Sequence, residues 1–143
     1  MKTKPYPSSI FLALNGIILI GLGLYFVFIR PPLLPEDPRF MGATLDEIQS
    51  SLPGLLIWLR RVFWVMGGFM FATGLLLLYV AQTTIRAHIG SVRLVVAVAA
   101  LSSIGWMAAV NFLIASDFKW VLLTFNLPWI LALIISWRER RQL

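Results

Sequence analysis

Residues Pro53 to Ala81 read PGLLIWLRRVFWVMGGFMFATGLLLLYVA, and this stretch decides the fold. From Val62 onward it runs for twenty residues without a charge, about the length a helix needs to cross a bilayer. Two arginines, Arg60 and Arg61, stand immediately before that run. A charge at the bilayer centre costs about 3 kcal/mol or more, so the pair marks the membrane boundary or a protein-lined site. A continuous helix over these 29 residues would be roughly 43 Å long, more than the roughly 30 Å hydrocarbon core. Its first two turns then lie at headgroup depth, with Trp58 and Trp64 bracketing the arginines as an interfacial aromatic belt does.

The rest of the chain repeats this character. Of 143 residues, 59% are hydrophobic and 13% charged, where soluble domains carry roughly 25% charged residues. Ser8 to Ile29 is a second uncharged run, too long for the apolar core of a signal peptide and without a small-residue cleavage site, so it reads as a retained first span. Two further runs follow, Leu94 to Ala115 and Trp120 to Trp137, the last containing Pro128. The expectation is an all-α polytopic membrane protein: one four-helix domain over residues 1–143, with spans at about 8–29, 62–81, 94–115 and 120–137.

The only substantial polar stretch is Arg30 to Leu52. Its first half, RPPLLPEDPRFMG, carries Pro31, Pro32, Pro35 and Pro38, which predicts a stiff extended strap and no helix. Thr44 and Glu47 then fit a capping box. Leu45, Ile48 and Leu52 recur at helical spacing, which predicts a short amphipathic helix lying in the interface of the first outer loop and ending at Pro53-Gly54.

Four spans place both termini on one side. That side holds seven basic residues (Lys2, Lys4, Arg86, Arg93, Arg138, Arg140, Arg141) and the single acid Glu139. The other holds five basic residues (Arg30, Arg39, Arg60, Arg61, Lys119) and five acids (Glu36, Asp37, Asp46, Glu47, Asp117). The Lys/Arg excess predicts cytoplasmic N- and C-termini in a cell (inner) membrane. The net charge of +6 sits at the ends of spans, which argues for membrane lipid rather than nucleic acid as the partner.

Chemistry-bearing constellations are sparse. With no cysteine and one histidine, His88, neither thiolate nor bis-histidine ligation is possible within one chain, and no phosphate-binding glycine loop occurs. No cofactor and no enzymatic activity are expected. Three asparagines, Asn15, Asn111 and Asn126, fall inside spans, where they would bond between helices or line a polar cavity. Asp46 and Glu47 could fold back past Pro53-Gly54 onto Arg60 and Arg61, either as a clamp or as an anion or lipid-headgroup site. Gly68 and Ala72, and likewise Gly105 and Ala109, have the small-xxx-small spacing that lets helix backbones approach, within the bundle or in self-association.

The run LRRVFWVMGGFMFATGLLLL, together with Gly23-Leu24-Tyr25 and Pro31-Pro32 after the first span, resembles families of small four-span bacterial membrane proteins without assigned activity. The likeness covers about the first 80 residues and implies a four-helix fold and no activity. The expected function is a non-catalytic accessory or scaffolding subunit of a larger membrane assembly. The alternative is a small transporter or lipid- or anion-binding protein using Arg60, Arg61 and the intramembrane asparagines.

Overall fold

The structure, a computed structural model, describes residues 6–83 and 90–141. Arg86 and His88, which the sequence places in the turn between the second and third spans, lie outside the described residues, as do Lys2 and Lys4. Among the described residues every regular element is helical. Four helical units, Pro7–Phe28, Leu55–Gln82, Gly90–Leu113 and Lys119–Arg140, are long and apolar enough to cross a bilayer. Large apolar side chains point outward along them, among them Phe69, Leu76, Tyr79, Leu94, Leu101 and Leu113. In water so much contiguous apolar surface would not stay monomeric; facing lipid tails it is in its proper solvent. The chain is a multi-pass membrane protein.

The first span, α1 (Pro7–Phe28), is central. It packs along its length against α4 (Leu55–Gln82) and, on another side, against α8 (Leu127–Arg140). Contact with α4 is backbone to backbone. A Cβ placed on Gly74 would sit 2.7 Å from the carbonyl oxygen of Gly16, and one on Gly67 would sit 2.6 Å from that of Gly23. Both helices thus carry glycines seven residues apart, and the reversed order shows that they run antiparallel. The expected pair Gly68 and Ala72 takes no part. Space around Gly68 is open and Ala72 is exposed, because position 67 faces α1 and its neighbour is turned about 100° away. Gly105 and Ala109 likewise form no helix seam: Gly105 lies closest to the carbonyl of Ala100 in its own helix, and Ala109 faces outward.

The third span consists of α5 (Gly90–Ala100), a π-helical turn (Leu101–Gly105) and α6 (Trp106–Leu113). Ser102 and Ser103 donate back to the carbonyls of Val98 and Ala99, a local competition that bends helices. The wider turn has a packing consequence. Val96, Ala100, Ile104 and Ala108 are all buried at a spacing of four, which in a regular α-helix drifts by about 40° per repeat. A turn with more residues per revolution holds the stripe on one face.

The fourth span breaks where Pro128 implies a kink: α7 (Lys119–Thr124) ends and α8 restarts at Leu127 with the proline in its first turn. At the terminal end of the bundle, Ser8 donates its backbone N–H and hydroxyl to the carboxylate of Glu139. A carboxylate from the last helix thereby caps the first, where the helix dipole favours negative charge.

In the first loop the capping box is present: the Thr44 hydroxyl accepts from the Glu47 N–H, and the Glu47 carboxylate accepts from the Thr44 N–H. Hydrogen bonds donated to the carboxylate by the Thr44 N–H and hydroxyl hold the Glu47 pKa below the usual carboxylate range. The cap is therefore complete above the ordinary glutamate pKa and is lost as pH falls through the lowered value. The helix is α3 (Leu45–Ser51); Ile48 turns inward while Leu45 and Leu52 face out.

The strap before it departs from expectation. Glu36–Met41 forms a helix, α2, despite its prolines. Pro35 occupies the N-cap and Pro38 the first turn, where an N–H has no intrahelical acceptor to lose. The Leu34 N–H donates to the Asp37 carboxylate at 2.8 Å, and Gly42 ends the helix at φ 69°.

Candidate functional site

Three local devices converge at the end of the bundle opposite the termini. The first is the close of α6. The Ser116 N–H bonds the Asn111 carbonyl at 2.9 Å and the Ala115 N–H bonds the Phe112 carbonyl at 3.2 Å, which is the Schellman pattern. Its left-handed position is Ala115, at φ 52°, where a Cβ costs about 1 kcal/mol. Ala115→Gly should therefore raise thermal stability by about 1 kcal/mol, read as a shift of the unfolding curve in detergent.

The second device follows from the first. That turn holds Ser116 buried, with its hydroxyl accepting from the Phe118 N–H at 3.1 Å and donating to Glu36 Oε1 at 2.8 Å. Glu36 is only 2% exposed, and its other oxygen, Oε2, is buried without a hydrogen-bond partner. Burying an unsatisfied carboxylate oxygen is costly, so this group stands out. The neighbouring pair of Arg39 and Asp117, at 3.2 Å, also ties the first loop to the third, but it is solvent-exposed and worth at most about 1 kcal/mol.

The third device is Arg30, directly after α1. Its guanidinium lies over the Phe63 ring at 3.6 Å and over the Phe26 ring at 5.3 Å. It donates to the Pro31 carbonyl at 2.9 Å and faces Asp37 at 3.8 Å. Only 11% of the side chain is exposed. Burial lowers its pKa and Asp37 pulls in the other direction; an arginine stays charged throughout.

Beneath these groups lies a cavity of about 440 Å³ between α1, α4, α6 and α7. Leu22, Phe63, Met66, Met107, Val110 and Phe125 supply apolar wall, and Arg30, Glu36, Asp37 and Asn111 supply polar groups. Measured along α1 from Leu22 to Arg30, it reaches roughly 12 Å at 1.5 Å per residue, well under one bilayer thickness. An apolar chamber with a few convergent polar groups is the usual form of a small-molecule site.

The residues singled out from sequence are distributed differently. Arg60 and Arg61 are both exposed, and Arg61 stacks on Trp64 at 4.2 Å. Among the described residues no ion pair joins either arginine to Asp46 or Glu47, so the expected clamp is not formed: Glu47 is committed to the cap of α3, and α4 turns its arginines outward. The asparagines do not bond between helices either. Asn15, Asn111 and Asn126 each donate to the carbonyl four residues earlier, at 3.0, 2.8 and 3.0 Å. Asn111 alone of the three lines the cavity.

Arg30 and Glu36 were missed as site residues because the sequence places them in a strap read only for its prolines. A signal did exist for the arginine. Phe26 and Arg30 are four apart, the spacing at which side chains meet on one helical face. For Glu36 no local signal exists, since its partner is 80 residues away.

No family model matches the chain, and no curated protein or solved structure is significantly similar to it.

Proposed function

We propose that this small membrane protein binds an amphipathic molecule in the cavity, its chain among the aromatic and methionine side chains and its head beside Arg30, Glu36 and Asp37. The observation that carries this reading is the chamber itself, apolar along its walls and polar at one end, a shape that matches a molecule with the same division. The role is binding or carriage rather than catalysis; turnover of the bound molecule during a titration would mark an enzyme instead. Binding is measured on the detergent-solubilised protein as stabilisation by decanol, a neutral probe. Stability should rise with probe concentration as ligand linkage requires, and Val110→Trp, which fills the cavity, should abolish the effect. A rise unchanged in Val110→Trp would place the alcohol elsewhere and sink the reading.

The positive-inside bias orients the cavity's polar end away from the cytoplasm. In intact cells an impermeant thiol reagent should then label Ser50→Cys and not Gln142→Cys; the reverse pattern would invert the orientation. A second reading, an accessory subunit of a larger assembly, is favoured by the outward ridge of Gly68 and Ala72, which the bundle leaves uncovered and which suits a partner helix. A stoichiometric partner that co-purifies and is lost in Gly68→Leu would support it.

A further inference from the structure

We infer that Glu36 is the head-group acceptor of the cavity and that the ligand carries a primary ammonium. This deepens the proposed function and rests on it. Most polar groups at the site already have partners. Arg30 is occupied by two backbone carbonyls, two aromatic faces and Asp37. Asp37 holds the Leu34 N–H and Arg30 through its Oδ2 and is partly solvent-exposed. Asn111 uses one amide N–H on the Met107 carbonyl and is a neutral group. Ser116 gives its only proton to Glu36 Oε1. Of the acceptors left on the cavity's polar residues, Glu36 Oε2 is the one that is fully buried and without a hydrogen-bond partner.

A lone carboxylate oxygen in an apolar wall selects its ligand chemically. An anionic head is repelled. A hydroxyl can donate one hydrogen bond but brings no positive charge to the carboxylate. A quaternary ammonium compensates the charge but has no proton to donate. A primary ammonium does both, and hydrogen bonds between ionised partners are roughly twice as strong as neutral ones. The apolar walls require an alkyl chain behind that head. Arg30 faces Asp37 first and feels Glu36 only through space, with no hydrogen bond to Oε2, so that oxygen is still open to a donor.

Two sources offer this chemistry: the ammonium head of a bilayer aminophospholipid, and a free amphiphilic amine. The test uses the full chain in maltoside detergent, titrated with decylamine, decanol, decyltrimethylammonium and decanoate. Decylamine should bind about tenfold more tightly than decanol or the quaternary amine, and decanoate least. In Glu36→Gln the preference for decylamine over decanol should vanish while decanol binding persists. Decanol bound as tightly as decylamine would overturn the inference and leave the cavity reading standing; no binding of any probe would overturn both. If Glu36→Gln does not fold, the wild-type ratio of decylamine to decanol decides, because the two share the chain and a small hydrogen-bonding head and differ in its positive charge. Nanodiscs distinguish the sources. Weaker decylamine binding in phosphatidylethanolamine than in phosphatidylcholine discs identifies a competing lipid head. Equal binding in both identifies a free amine, and either result supports the acceptor role.

Discussion

Gly74→Val is expected to destabilise the detergent-solubilised protein by about 3 kcal/mol, the upper end of what overpacking usually costs, whereas Gly68→Val should be close to neutral. At Gly74 the new Cβ would meet the Gly16 carbonyl oxygen at 2.7 Å and the Ile20 backbone nitrogen at 2.9 Å. These are backbone atoms of the helix that α4 packs against, so no rotamer change relieves the clash and α1 must move away as a unit. The Gly67 site behaves the same way, at 2.6 Å from the Gly23 oxygen. Moving α1 also disturbs its packing on α8 and the cap that Glu139 places on Ser8, so the damage should spread through the bundle. At Gly68 nothing lies within 4 Å, and valine is a better helix former than glycine by a few tenths of a kcal/mol. Thermal unfolding of the two variants checks this, and equal losses at both positions would mean that the seam lies elsewhere.

That pair of variants also marks where the sequence could be read and where it could not. The four spans were legible because length and hydropathy are properties of each segment alone. The Thr44/Glu47 capping box was legible because both partners lie within one turn. The glycine seam was half legible. Close packing could be expected from the abundance of small residues, but choosing between a spacing of four and one of seven needs the angle at which the partner helix crosses, which the sequence of one helix does not contain. Prolines misled in the other direction. Counted as helix breakers they argued against α2, yet at an N-cap and in a first turn they cost nothing. The asparagines were expected to seek other helices, and instead each found the carbonyl one turn back, a partner available wherever the helix goes. The cavity was beyond reach, since Glu36 and Ser116 are joined only by the fold.

Arg30→Ala is expected to cost about 2 kcal/mol, the scale of a desolvated cation–π contact, while Arg60→Ala and Arg61→Ala should each stay within about 0.5 kcal/mol, as ordinary surface changes do. The sequence pointed to the adjacent pair as the arginines that pin the outer loop; the geometry gives that task to Arg30. Its guanidinium is 3.6 Å from the Phe63 ring and therefore joins the end of α1 to α4, while its bonds to Pro31 and Pro32 and its approach to Asp37 draw the strap over the cavity. Arg30→Lys should recover only part of the loss, because an ammonium cannot lie flat on the ring and donate along the strap together. Asp37→Ala should cost less than Arg30→Ala, since at 3.8 Å the ion pair is long and the aromatic contact carries most of the interaction. A double-mutant cycle of Arg30→Ala with Phe63→Leu separates the two contributions. A coupling of about 1 kcal/mol or more places the anchor on the ring, as contacting residues require. Strict additivity would mean that Arg30 holds the strap without the Phe63 ring, and α4 would then have no part in anchoring it.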